Sequence, residues 1–229
     1  MRGRPITGEE FDRMIEATPK VVENAAAESW KFYLRGLWTS GLRLSESLKL
    51  RWDDAPESIV VDLTGRRPML RIAAEAEKGH RDRLLPITPE FSALLESIPE
   101  RDRRGRVFKL LRNDGKPLKG QRWVVGKTVS AIGKAAGVKV NDSGKSASAH
   151  DLRRAFGQRW SGRVMPTVLR ELMRHEDIST TLKYYVGQNA EATADAVWAA
   201  VVDTSVDTSL GLEKQSDKTT ENLSTGERT

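Results

Sequence analysis

Cysteine is absent from this 229-residue chain, and histidine occurs three times. The first absence excludes disulfides, thiolate metal sites and a thiol nucleophile. The second leaves too few imidazoles for a histidine-rich metal cage. Aromatic residues are scarce, at 6%, and only three are tyrosines. No run approaches the ~20 apolar residues that a bilayer-spanning helix requires. Met1-Arg2-Gly3-Arg4-Pro5 is not followed by the apolar stretch of a secretory signal. Neither an internal repeat nor a coiled-coil heptad pattern is present. These absences set the expectation of a cytoplasmic globular protein with no membrane partner.

Charge, by contrast, is plentiful. Charged residues make up 31% of the chain, the mean hydropathy is −0.52, and the net charge is +6 with a pI near 9.6. The charge is uneven. Residues 203–229 carry three basic and six acidic side chains, so residues 1–202 hold 35 basic against 26 acidic. A basic body suits a polyanionic partner, nucleic acid first, although charge by itself fits a solvated surface equally well. Residues 1–202 are expected to form the folded domain. Residues 203–229, rich in Ser, Thr, Asp, Glu and Lys, are expected to be a disordered tail.

The pattern predicts a mainly α protein with a small three-stranded antiparallel sheet. Thr7-Gly8-Glu9-Glu10 has the form of a capping box, and Phe11, Met14 and Ile15 follow at helical spacing. A second helix over 24–38 aligns Trp30, Leu34, Leu37 and Trp38, and Gly41 ends it. Leu44–Leu50 reads as a short helix. Ser58–Leu63, Met69–Ala74 and Arg83–Ile87 read as strands separated by turn-like Gly65-Arg66-Arg67-Pro68 and Lys78-Gly79-His80. Thr88-Pro89-Glu90 starts another helix. Further helices are expected near 120–136, 149–161, 166–173, 179–185 and 190–202, with a loop over 138–148. Trp30, Trp38, Trp52, Trp123 and Trp160 are expected to be packed. Trp198, with Val197, Val201 and Val202, forms an apolar face that could pack on its own domain or on a second copy.

Three patterns could carry chemistry. In His150-Asp151-Leu152-Arg153-Arg154, a helix would align His150 with Arg153, a donor set suited to a phosphate. A solvated basic face explains it equally well. In Gly41-Leu42-Arg43-Leu44-Ser45-Glu46, an arginine fork stands near a carboxylate that can steady it. A surface ion pair of small worth is the plain alternative. In His175 to Tyr185, Ser179 can cap a short helix carrying Tyr184 and Tyr185. Either tyrosine could be a phosphoryl nucleophile or a packing residue.

Taken together and in this order, the patterns resemble the tyrosine recombinase family, the phage-integrase type of site-specific DNA recombinase. Gly41-Leu42-Arg43 with Glu46 resembles the family's first motif. His150 and Arg153 resemble its histidine-x-x-arginine motif. His175, with Tyr184 nine residues on, resembles its third, and Lys78-Gly79 resembles the hairpin lysine. The resemblance spans Thr7 to Val202. It implies a recombinase or integrase that cleaves and rejoins double-stranded DNA through a 3′-phosphotyrosine, with no cofactor, metal or ATP. It implies that Arg43 and Arg153 hold the non-bridging oxygens, with His150 and His175 adding hydrogen bonds. Lys78 would be the general acid, Tyr184 the nucleophile, and Glu46 a support for Arg43. A tetramer on DNA and a monomer in free solution, in the cytoplasm at the nucleoid, are further expectations. An inactive DNA-binding module and a type IB topoisomerase are the alternatives.

The chain departs from the family pattern in three places. Arg174 stands where a glycine usually precedes the third-motif histidine, and Arg154 where histidine is frequent. The resemblance starts at Thr7, so the helical core-binding domain that closes the other side of the family's DNA clamp is expected to be absent.

Overall fold

The computed structural model describes residues 3–73, 83–119 and 121–185, together with Trp198. The chain divides into two units, Met1–Tyr185 and Val186–Thr229. The expected helix over 190–202, Trp198 apart, and the tail beyond it lie outside the described residues, as do Lys78, Gly79 and His80.

Helix α1, Gly8–Ala17, starts at a reciprocal cap. Thr7 Oγ1 accepts the Glu10 amide at 3.2 Å, and Glu10 Oε2 accepts the Thr7 amide at 2.9 Å. Glu10 also takes Arg4 in two hydrogen bonds, while the Arg4 amide donates to Val140 O. The N-terminal segment is thereby fastened to the loop that precedes the histidine-x-x-arginine helix.

Helix α2, Asn24–Ser40, buries Ala26, Ala27, Trp30, Tyr33, Leu34 and Leu37 along one face. Large side chains buried this way contribute about 1.5–3 kcal/mol each. Gly41 terminates the helix in the left-handed region at φ +61°. Helix α3, Leu44–Ser47, follows at once and is shorter than the sequence suggested.

The sheet has four strands in the order β1 (Leu50–Arg51), β2 (Ile59–Asp62), β3 (Met69–Ile72), β4 (Arg83–Pro86). The three expected strands pair antiparallel, with Val60 opposite Arg71 and Leu70 opposite Leu85. The additional strand, β1, runs parallel to β2. Two residues long, it has no periodicity of its own. It is defined by Ile59 donating to Lys49 O and Val107 donating to Leu50 O.

Helices α4 (Pro89–Glu96), α5 (Arg122–Ala135), α6 (Ala149–Ser161), α7 (Pro166–Met173) and α8 (Ile178–Leu182) complete the described fold. Asp177, not Ser179, caps α8, accepting the Ser179 amide at 2.8 Å. A large core joins α1, α2, the sheet and α5. A smaller cluster of Phe156, Leu169, Leu172, Met173 and Tyr184 lies under α6 to α8.

Trp30 and Trp38 are buried as expected, and Trp52 and Trp160 are partly buried. Trp123 is not packed: it is 68% exposed. Helix α5 buries Val125, Val129 and Ile132, and Trp123 lies on another face of the same helix. None of the helices formed by described residues is long and apolar enough to cross a membrane.

Candidate active site

The left-handed turn at Gly41 directs the chain from α2 straight into α3 and leaves its carbonyl available to Arg153. A Cβ there would lie 2.4 Å from Phe156 Cδ1, so the turn also rests on the ring below it. Arg43 is the N-cap of α3. Its amide donates to Glu46 Oε2 at 2.6 Å, and its Nη1 donates to Glu46 Oε1 at 2.7 Å. Its Nη2 donates to the Arg174 carbonyl at 3.0 Å. The Arg43 side chain remains 44% exposed, so one side of its fork faces outward.

Arg153 comes from α6 and is buried. Its Nη1 donates to Gly41 O and its Nη2 to Met173 O. Burial, with Arg174 and Arg43 close by, lowers its guanidinium to about 9, which still leaves it charged at neutral pH. The α6 start is held by Asp151, which accepts from the Ser148 amide and hydroxyl and from Arg154 Nη1 at 2.7 Å. His150 is exposed on the first turn. Its imidazole titrates below the ordinary value through partial desolvation and the nearby Arg154 and Arg153, against Asp151.

Helix α7 ends with Arg174 in the left-handed region, φ 51° and ψ 49°, a conformation that costs a non-glycine residue about 1–2 kcal/mol. Here the chain turns so that the Met173 and Arg174 carbonyls each receive one arginine, Arg153 and Arg43 respectively. His175 follows. Its Nδ1 meets Thr181 Oγ1 at 2.9 Å, and its ring lies parallel to that of Tyr184, 6.2 Å between centroids. Burial and then Arg153, Arg43 and Arg174 push His175 down to about 4, so it is neutral at pH 7.

Tyr184 is 8% exposed and packs on Gly157, whose Cβ position lies 2.8 Å from the tyrosine Cε1 and Cζ. Burial raises its phenol above the usual value, against the pull of Arg153 and Arg154. Among the described residues, nothing hydrogen-bonds its hydroxyl. The adjacent Tyr185 differs: its Oη donates to Val164 O at 2.6 Å.

Of the residues singled out from the sequence, Arg43, Glu46, Arg153, His175 and Tyr184 therefore come together. His150 sits beside them on α6. Lys78 lies outside the described residues. The sequence reading missed the part played by Arg174, visible there only as a departure from a family glycine. Its side chain is buried, and Nη2 donates to Glu46 Oε2 at 2.6 Å. The Glu46 carboxyl, opposed by burial but drawn by Arg174, Arg153 and Arg43, is lowered to about 2. No group of three or more potential metal-ligating side chains is found among the described residues.

The sequence model of the Phage integrase family matches residues 4–192. No curated protein sequence matches the chain. Among solved structures, XerA recombinase is similar at a TM-score of 0.54 and 17% identity, covering 86% of this chain and 63% of that one. The XerH site-specific recombinase bound to a palindromic difH substrate, in a post-cleavage complex, gives 0.56 and 18%, covering 86% and 54%. A lambda integrase dimer bound to a COC′ core site gives 0.53 and 14%, covering 82% and 62%. At these identities the likeness is one of fold. The chain spans less than two thirds of the length of each of these three.

Proposed function

The chain belongs to the phage integrase family, and from that membership we propose that it cleaves and rejoins DNA strands as a site-specific recombinase, with Tyr184 as nucleophile. One observation carries the reading. Arg43 and Arg153 are anchored on consecutive carbonyls just ahead of His175, and Tyr184 stacks on His175 with no hydrogen bond to its hydroxyl among the described residues. Two anchored cations, a neutral imidazole and a phenol are thereby grouped, and together they are the set that we assign to a phosphodiester.

Attack on phosphorus places negative charge on the non-bridging oxygens. Preorganised donors stabilise that charge more in the transition state than in the ground state. Arg43 presents the outward side of its fork, and Arg153 supplies a guanidinium whose place two carbonyls dictate. His175 Nδ1 is in contact with Thr181 Oγ1, and we assign Nε2 as the nitrogen that carries the proton and donates to the phosphate; His150 adds a further donor. Tyr184 Oη forms the bond to phosphorus as the bond from phosphorus to the 5′-oxygen breaks, and its phenolic proton passes to solvent water. The 5′-oxygen departs with a proton that we assign to Lys78, by resemblance to the family's hairpin lysine. The 3′-phosphotyrosine conserves the energy of the broken ester, so a second strand can reverse the step without a metal or ATP. The reading includes assembly of four copies on DNA from free monomers, in the cytoplasm at the nucleoid.

The test is metal-free incubation with nicked duplexes taken from the flanks of its own gene, followed by a search for a denaturant-resistant protein–DNA adduct. The adduct is expected with the unsubstituted chain and with Tyr185→Phe, and is expected to vanish with Tyr184→Phe while DNA binding persists. An adduct retained by Tyr184→Phe and lost with Tyr185→Phe overturns the assignment. Gel shifts without any adduct favour a DNA-binding module instead.

A further inference from the structure

We infer that Arg174 is a positioning residue: its buried guanidinium holds Glu46, and Glu46 with the Arg174 carbonyl holds Arg43 in place for the phosphate. The inference rests on the strand-transfer reading for its consequence and on the geometry of residues 43, 46 and 174 for its substance.

Four hydrogen bonds fill the Glu46 carboxylate. Oε2 accepts the Arg43 amide at 2.6 Å and Arg174 Nη2 at 2.6 Å. Oε1 accepts Arg43 Nη1 at 2.7 Å and Arg174 Nε at 3.4 Å. Arg174 spends its remaining fork on Leu172 O at 3.0 Å. Its side chain is 1% exposed, against 44% for Arg43. The two arginines therefore have different tasks. Arg43 reaches outward from the carboxylate, whereas Arg174 sits beneath it and cannot meet a substrate.

Arg174 also clamps Arg43 from the other side, since Arg43 Nη2 donates to the Arg174 carbonyl. A glycine would adopt the left-handed backbone more readily. The arginine accepts that conformation and gains a planar, two-point grip on a carboxylate, a geometry lysine cannot reproduce. Without it, the buried Glu46 charge would be left to Arg43 from the α3 start and Arg153 from α6. Arg43 would then be drawn inward, away from the phosphate.

The groups facing Glu46 are Arg43, Arg153 and Arg174, and the Arg174 contribution is the largest of the attractive ones. Removing it should let Glu46 take up a proton at higher pH. Carboxyl carbon NMR on the intact chain, titrated from neutral to about pH 3.5, reads this without DNA. Glu46 is expected to stay ionised throughout in the unsubstituted chain and to titrate within that range in Arg174→Gly. Arg174→Lys should fall between the two, because it keeps the charge and loses the fork. In single-turnover adduct formation, Arg174→Gly is expected to be slower by about tenfold or more, with DNA affinity changed by less than about threefold. Adding Arg174→Gly to Glu46→Gln should slow the reaction no further than Glu46→Gln alone, because the Arg174 side chain acts through Glu46.

A Glu46 that stays ionised to pH 3.5 in Arg174→Gly overturns the proposal, whether or not the chain cleaves DNA. So does a pair of effects that multiply. An unsubstituted chain that forms no adduct counts against strand transfer and leaves the NMR result to decide the role of Arg174.

Discussion

Gly157→Ala should separate the stability of the fold from the chemistry of Tyr184. The added methyl carbon would lie 2.8 Å from Tyr184 Cε1 and Cζ and 2.8 Å from Met173 Sδ. Carbon atoms rest about 3.5–4.0 Å apart, so each neighbour must retreat by roughly 0.7–1.2 Å. The Met173 thioether is the end of a flexible chain and can do so. The tyrosine ring is pinned between Gly157 and the His175 ring. Overpacking costs about 1–3 kcal/mol, and alanine in a helix interior returns roughly 1 kcal/mol relative to glycine. Net destabilisation should thus be about 0–2 kcal/mol. On the proposed reading, however, a nucleophilic Tyr184 displaced by about 1 Å loses on the order of 100-fold in rate. Urea unfolding and single-turnover adduct formation, run on the same preparation, measure the two effects. Gly162→Ala is the control, since nothing lies within 4 Å of its Cβ position; it should change neither. A Gly157→Ala protein that forms the adduct at the unsubstituted rate would refute the reasoning, because the ring could not then need its seat on Gly157.

Gly41→Ala should act on the fold itself. It combines a left-handed backbone with a 2.4 Å approach to Phe156, for a loss of about 2–5 kcal/mol in urea unfolding; a loss below about 1 kcal/mol would contradict the packing. Acid should also weaken the fold. His175 lies near 4 instead of 6.5, and Glu46 near 2 instead of 4.5. The unfolded chain therefore binds protons first at both sites. Stability is fully present at neutral pH and falls as pH drops through about 6.5 to 4 for His175, then from 4.5 downward for Glu46. The thermal midpoint should fall across this window, and His175→Gln should flatten its upper part; a midpoint flat from pH 7 to 4 would refute both assignments.

Local signals in the sequence identified most of the helices. Capping at Thr7 and Thr88, proline at the first turn of α4, and the spacing around Arg153 gave starts that the structure repeats. What was not legible depends on distant partners. Strand β1 exists because Ile59 and Val107 reach its backbone. Trp123 looked like a packing residue because tryptophan is large and apolar, yet the buried face of α5 is set by Val125, Val129 and Ile132. The motif spacing anticipated that Arg43, Arg153, His175 and Tyr184 share one place. It held no sign that an arginine at position 174 would be buried beneath them, since nothing local marks a charge that a carboxylate 128 residues away will neutralise.

The charge balance of this centre bears on how it would work. Arg43, Arg153 and Arg174 bring three positive charges, Glu46 brings one negative, and His175 and Tyr184 are neutral, leaving two positive charges. A phosphodiester carries one negative charge, and the five-coordinate species formed by attack carries two. On the proposed reading these side chains exceed the charge of a bound phosphodiester and match that of the species formed by attack, before the proton-bearing Lys78 is counted. At an effective dielectric constant of about 20, one added charge roughly 4–5 Å from a guanidinium is worth about 3–4 kcal/mol. That is two to three decades of rate if it is realised only in the transition state. Glu46 does not diminish this advantage. Buried, saturated with hydrogen bonds and gripped from below by Arg174, it absorbs one cation's worth of repulsion among three crowded guanidinium groups, and Arg43 can remain ordered with its outer face unspent.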